Sequence, residues 1–155
     1  MCHREARVWD LRTATKPSPK PVCHLAHPKG LTSAFYSSRG SYLLTTCNDD
    51  RLRVYDVRHV STNRPPVIAS TKHNNHTGRW LSTFKARWHP QREDTFIVGS
   101  MELPKAIEVY GIHGQKMIRL QSTANLTTIC SACVFHPSQL LVAGANSSGK
   151  VHVFL

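Results

Sequence analysis

Acidic residues are scarce in this 155-residue sequence: nine Asp and Glu stand against twenty Lys and Arg, a formal charge of +11. The ten His can add to that excess below neutrality. Such an imbalance suggests a polyanionic partner, because phosphate contacts release counterions. Large apolar groups are also few. Leu, Ile, Val and Phe make up 36 residues, just above the fraction at which a chain stops burying enough apolar surface to fold. The reading is a folded but core-poor chain, long enough for one ordinary domain. No run of 18 apolar residues occurs, so no helix spans a membrane and no membrane partner is expected. Met1-Cys2-His3-Arg4-Glu5 has no apolar signal segment, which places the protein inside the cell. The five Cys follow no framework spacing, which fits reduced thiols.

Catalytic patterns are missing as well. There is no phosphate-cradling G-x-x-x-x-G-K-[ST] loop, no H-E-x-x-H and no G-x-S-x-G elbow. The pairs Asp49-Asp50 and Glu93-Asp94 fall at turns and read as solvent-facing caps. Cys130-x-x-Cys133 lies in a segment read as a strand, where residues three apart point to opposite faces. It has no second Cys pair for zinc. His24-x-x-His27 and His73-x-x-His76 read as loop residues or phosphate donors. No enzyme, metal site or cofactor is expected.

What is present is a repeat. Four segments end alike, at Val8-Trp9-Asp10, Val54-Tyr55-Asp56, Val109-Tyr110-Gly111 and Val153-Phe154-Leu155, with Val-to-Val spacings of 46, 55 and 44 residues. Two of these spacings lie near the period of a propeller blade. Strand-like segments precede each marker: 31–36, 84–88 and 130–135, then 42–46, 95–99 and 140–144. The last strand of each unit alternates, with Leu52 and Val54, Ile107 and Val109, and Val151 and Val153 expected to face a neighbouring blade. No helical periodicity is sustained. The expectation is an all-β, partial β-propeller over residues 1–155: a leading strand at 6–11, then blades at about 22–58, 67–112 and 118–155. Three blades do not close a ring, so the chain reads as the C-terminal part of a longer protein.

Val8-Trp-Asp-Leu-Arg-Thr13, His73-Asn-Asn-His-Thr-Gly-Arg-Trp80 with Lys85-Ala-Arg-Trp-His-Pro90, and Gly144-Ala-Asn-Ser-Ser-Gly-Lys-Val-His-Val-Phe154 carry a resemblance. The chain resembles WD-repeat proteins of the damaged-DNA-binding protein 2 / WD-repeat protein 76 family. That resemblance implies a seven-bladed propeller, a nuclear location and a role in the DNA damage response. It implies DNA, duplex or damaged, as a partner, with chromatin proteins as further ones.

The residues supply their own argument for nucleic acid. From Val57 to Arg92, 36 residues contain no acid but seven Lys or Arg: Arg58, Arg64, Lys72, Arg79, Lys85, Arg87 and Arg92. His59, His73, His76 and His89 lie in the same run, and Trp80 and Trp88 are interleaved. That mixture suits phosphate neutralisation plus stacking or wedging. The stretch 73–80 reads as a surface loop, and Trp88 as core. In the family the corresponding loop inserts side chains at a lesion, and the inserting positions fall on Gly78, Arg79 and Trp80. Gly replaces the family's leading aromatic, and Trp stands in place of its His. Candidate DNA-binding residues are therefore His73, Asn74, Asn75, His76, Gly78, Arg79, Trp80, Lys85 and Arg87. Two further functions stay open. RNA fits the same loop. Trp9-Asp10-Leu11-Arg12 matches the Trp-Asp-x-Arg pattern, with a weaker copy at Tyr55-Asp56-Val57-Arg58. By resemblance, Trp9, Asp10 and Arg12 dock the damaged-DNA-binding protein 1 adaptor of a cullin-4 ubiquitin ligase, which would make the chain a substrate receptor or scaffold.

Overall fold

The computed structural model describes residues 4–13, 15, 17–58 and 65–155. Strands β1 (Glu5–Val8) and β2 (Cys23–Ala26) form an antiparallel pair. The next sheet runs β3 (Leu31–Tyr36), β4 (Tyr42–Cys47), β5 (Arg51–Asp56), β6 (Val67–Lys72) in that order. The third runs β7 (Arg87–Trp88), β8 (Thr95–Gly99), β9 (Ala106–Gly111), β10 (Lys116–Gln121). The last is β11 (Cys130–Phe135), β12 (Val142–Asn146), β13 (Val151–Phe154). Among the described residues, the helical structure is one 3-10 turn, Leu11–Thr13.

The hydrogen-bonded sheets are offset by one strand from the sequence repeat. Residues 67–72 pair with β5 of the sheet before them, and 116–121 with β9. Linking the outermost strand of one sheet to the edge strand of the next is what makes the repeat unit span two sheets. Those edge strands, β3, β7 and β11, approach one another, so they form the inner side of the array.

Period-two alternation builds the core between sheets. Along β4, Leu43 packs with Tyr55, Val57, Cys23 and Leu25, while Leu44 packs with Phe84, Trp88 and Phe96. Along β8, Phe96 and Val98 face the second sheet, and Ile97 joins Ile107, Val109, Cys130 and Val142 on the other side. The central strands β4 and β8 are therefore covered on both faces, and a chain short of large apolar groups still forms three packed layers. Leu52, Val54, Ile107 and Val109 face a neighbouring sheet as expected. Val151 and Val153 do not: they are 67% and 59% exposed, because no sheet follows β13 among the described residues.

Other boundaries move for local reasons. The strand expected at 84–88 shrinks to Arg87–Trp88. Upstream of it, Ala86 N–H donates to Thr46 Oγ1 at 3.0 Å, and the Phe84 carbonyl accepts from Thr32 Oγ1 at 2.7 Å. Side chains of the preceding sheet thus replace the ladder. The leading strand ends at Val8, where Asp10 starts the 3-10 turn. The last central strand starts at Val142 and leaves Leu140 exposed. The acidic turns are not simple solvent-facing caps. Glu93 accepts bonds from Ser37 Oγ (2.5 Å), Ser41 Oγ (2.8 Å) and Arg39 N–H (3.0 Å), joining two sheets. Asp49 is ion-paired with Arg53.

His27 is buried at the first sheet boundary, with Nδ1 on the Leu25 carbonyl (2.8 Å) and Nε2 near Thr45 Oγ1 (3.1 Å) and Tyr55 OH (3.2 Å). Desolvation holds its pKa below the ordinary 6.5. The folded form resists protonation more than the unfolded chain does, so the neutral His contributes stability above about pH 6.5. That stability is lost as pH falls through the lower, folded value. The urea midpoint is expected to be flat above neutrality and to decline as pH falls below about 6.5. In His27→Gln that decline should shrink; an unchanged pH profile would show that His27 is not its source.

Candidate nucleic-acid interface

Alternating strand directions sort the connections into two ends. One end gathers the links 27–30, 73–86 and 122–129 and the turns 48–50, 100–105 and 147–150. Hydrogen bonds tie these together: Asn48 N–H to the Gly30 carbonyl (2.9 Å) and Thr128 to Ser148 through their hydroxyls (3.2 Å). The other end holds Trp9 to Arg12, Arg39, Arg58 and residues 89–94.

The link between β6 and β7 is built on a buried base and an exposed tip. At the base, His73 places Nε2 2.9 Å from the Gly99 carbonyl and Nδ1 2.7 Å from Asn75 Oδ1, with its ring edge-on to Phe84. Asn75 donates through Nδ2 to the Cys47 carbonyl (2.7 Å) and through its backbone N–H to Asp50 Oδ1 (2.8 Å). Both residues are buried, so the structure gives them an anchoring place rather than an open surface. Asn74 is exposed and accepts the His76 N–H (3.0 Å). His76 is exposed and lies 3.2 Å from Asp50.

Beyond Thr77 the chain reverses through Gly78 at φ +66°, where a side chain would meet no neighbour but would strain the backbone. Arg79 is exposed, and Trp80 is 91% exposed. A packed loop anchor would be buried; this indole stands in solvent. Lys85 and Arg87 share the exposed side of their segment, as expected, while Ala86 and Trp88 are buried. Arg87 stacks over Phe35 at 3.9 Å, and Trp88 Nε1 donates to the Phe35 carbonyl at 2.9 Å.

The acid-free run is not one patch. Its ends lie at the opposite end of the sheets and are neutralised there. Asp56 binds the Arg58 guanidinium, and Arg92 draws the Asp94 carboxyl down to about 2. Arg64 and His59 lie outside the described residues. In their place the fold brings in exposed Lys29 and Lys150 from distant segments, which no local charge count could link to the loop.

The Trp-Asp-x-Arg segments repeat one geometry. Asp10 Oδ1 accepts the Arg12 N–H at 3.0 Å, and the guanidinium folds back onto both carboxylate oxygens. Asp56 and Arg58 do the same. The Arg12 side chain is 89% exposed and Trp9 is 41% exposed. Cys130 is buried, and Cys133 donates to the Cys130 carbonyl at 3.4 Å; burial pushes both thiols up. Among the described residues no group of three or more His, Cys, Asp or Glu could hold a metal ion.

No family model matches the chain. WD repeat-containing protein 76 of Mus musculus is 40% identical over 154 residues, covering 98% of this chain and 24% of its own length. That of Xenopus laevis is 39% identical, with 95% and 25% covered. DNA damage-binding protein CMR1 of Scheffersomyces stipitis is 28% identical, with 97% and 32% covered. The chain thus spans about a quarter of the length of the first of these relatives. Among solved structures, the β-propeller domain of Myceliophteria thermophila Cps50 (Swd1) superposes with a TM-score of 0.74 at 14% identity, over 99% of this chain and 47% of its own. Saccharomyces cerevisiae Sqt1 gives 0.64 at 14%, over 92% and 37%. The four sheets are blades of a β-propeller.

Proposed function

We propose, from the premise that this chain belongs to the WD-repeat family of WD repeat-containing protein 76, that it is a non-enzymatic DNA-binding segment acting in the nucleus in response to DNA damage. The observation that carries this reading is the loop tip: Trp80 at 91% exposure beside Arg79, on a base pinned by His73 and Asn75. The name of the CMR1 relatives, DNA damage-binding protein, supports it. DNA contact then falls to Asn74, His76, Gly78, Arg79, Trp80, Lys85 and Arg87, with His73 and Asn75 holding the loop's shape.

Magnitudes decide what the tip does. Unstacking a base step costs a few kcal/mol, and stacking on an aromatic ring returns about 1–3 kcal/mol. Trp80 alone does not open an intact stack, but it suffices at a step already weakened by damage or mismatch. Preference would follow from deformability rather than a base code. The test is anisotropy of a labelled duplex across a salt series. Arg79→Ala/Trp80→Ala is expected to weaken binding by more than the roughly 5- to 150-fold of one lost stacked base, because a phosphate contact goes with it. A double variant that binds like wild type would overturn the reading; equal binding of lesion and intact duplexes would overturn the damage preference.

One observation favours a second, compatible reading. Arg12 is exposed while Asp10 fixes its guanidinium, at the end of the sheets away from the loop. A planar donor held in that way suits docking on a ligase adaptor such as damaged-DNA-binding protein 1 of cullin-4 ligases. Arg12→Ala should abolish co-purification of that adaptor and leave DNA binding intact; retained adaptor would rule the site out.

A further inference from the structure

A pocket of about 240 Å³ opens between the inner strands of the third and fourth sheets, lined by Ser82, Thr83, Lys85, Arg87, Ser131 and Cys133 with Ala132. None of these side chains is acidic. Lys85 and Arg87 project from the exposed side of their segment because Ala86 and Trp88 take the buried side. Arg87 is held as a plane by its stacking on Phe35 at 3.9 Å, so less freedom is lost when it meets an anion. The rim is closed by a 2.7 Å contact between the hydroxyls of Ser82 and Ser131, which ties the loop to β11. Two cations and three hydroxyls thus converge on one space with no carboxylate to satisfy them. Trp80, fully in solvent, stands two residues before Ser82.

We propose that this pocket is a subsite for one phosphate of a nucleic-acid strand, held between Lys85 and Arg87 while a base of the same strand lies on Trp80. This deepens the DNA-binding reading and rests on it. The π face beside an acid-free, hydroxyl-lined cation pair is what favours a nucleotide over an acidic peptide: a base needs the ring and its phosphate needs the charge. Arg87 supplies a fixed fork, Lys85 a mobile point charge, and Thr83 with whichever of Ser82 and Ser131 is not donating to the other supplies neutral donors.

The experiment measures binding of the full chain to a labelled duplex and a labelled single strand across a salt series. Lys85→Gln/Arg87→Gln should make the slope of log affinity against log salt shallower by about 0.9 on duplex and about 0.7 on the single strand, the change for one phosphate. Lys85→Gln alone should give only part of that change, because Arg87 still holds the phosphate, and the effect should be equal for all sequences. Trp80→Ala should instead lower affinity about 5- to 150-fold with the slope unchanged. If wild type binds but the double variant keeps the wild-type slope, the subsite is overturned and DNA binding stands. If wild type binds neither strand, the DNA reading itself fails. A phosphoserine peptide that competes as well as the oligonucleotide would overturn the nucleic-acid assignment.

Discussion

Gly99→Ala is expected to abolish cooperative folding. Gly99 ends β8, and a Cβ there would lie 1.8 Å from the Cys130 carbonyl oxygen and 2.9 Å from both Cys130 C and Phe84 Cε1. The first two are backbone atoms of β11, which cannot rotate aside as a side chain can. Relief would require the third and fourth sheets to separate, exposing Ile97, Ile107, Cys130 and Val142. The shift would also move the Gly99 carbonyl away from His73 and so loosen the loop base. Overpacking a well-packed core costs about 1–3 kcal/mol; a backbone clash of this depth belongs at or beyond the upper limit. A core-poor domain with total stability near the low end of about 5–15 kcal/mol has little in reserve. The matched control is Gly149→Ala. Gly149 has φ +77° but open space around it, so only the backbone term applies, about 1 kcal/mol. Urea unfolding followed by tryptophan fluorescence separates the two. A Gly99→Ala midpoint as high as that of Gly149→Ala would show that the sheets do not approach as closely as described.

Much of this architecture is legible in the chain. The strands at 31–36, 95–99 and 130–135 match the structure residue for residue. They are legible because each carries β-branched or aromatic residues in a short run that ends at a turn, whether the strand is central (95–99) or at a sheet edge (31–36 and 130–135). The His-Pro turns work as strand stops: His89 Nδ1 accepts the Gln91 N–H (3.1 Å), and His136 Nδ1 those of Ser138 and Gln139. The outer strands β6 and β10 leave weaker traces. Their residues are mostly exposed or half-buried, and in Lys116–Gln121 without alternation, so hydrophobic period says little about them.

The loop was legible as a loop, but its charges and anchors were not separable by sequence. Arg58 and Arg79 belong to one acid-free stretch, yet the single strand between them, β6, carries them to opposite ends. His73 and Asn75 are as polar as His76 and Asn74, and differ only in having buried partners on Gly99 and Cys47. Polar groups are buried where every donor and acceptor is met, and those partners come from strands 26 and 28 residues away. Lys29 and Lys150 join the same end for the same reason: topology, not proximity in sequence, sets the field.

The second large effect is expected from Glu108→Ala. Glu108 lies in β9 with its side chain 1% exposed. It accepts from Tyr110 OH at 2.6 Å and Lys116 Nζ at 2.9 Å, and Arg119 Nε lies 3.3 Å away. Burial opposes the charged carboxylate, but those donors outweigh it and hold its pKa below the ordinary 4.5. Burial and the bond to Glu108 together push the Tyr110 phenol up. Removing the carboxylate leaves Lys116 and Arg119 sharing the exposed Glu102 (3.3 and 3.9 Å) and a buried hydroxyl without its acceptor. Breaking a buried ion pair from one side costs about 3–5 kcal/mol. Lys116 and Arg119 are 34% and 27% exposed and regain some hydration, so the lower end, about 3 kcal/mol, is expected. Glu108→Gln keeps an acceptor for Tyr110 and should cost less, about 1–2 kcal/mol. The sign with pH follows from the lowered folded value: the carboxylate contributes stability above about pH 4.5, lost as pH falls through the folded pKa. This window lies below that of His27, so the two groups separate in one pH series. Unfolding midpoints at pH 7 and at pH 3.5 test the account. The gap between wild type and Glu108→Gln should narrow at the lower pH, and a gap that stays constant would place the stabilisation in packing rather than in the charge.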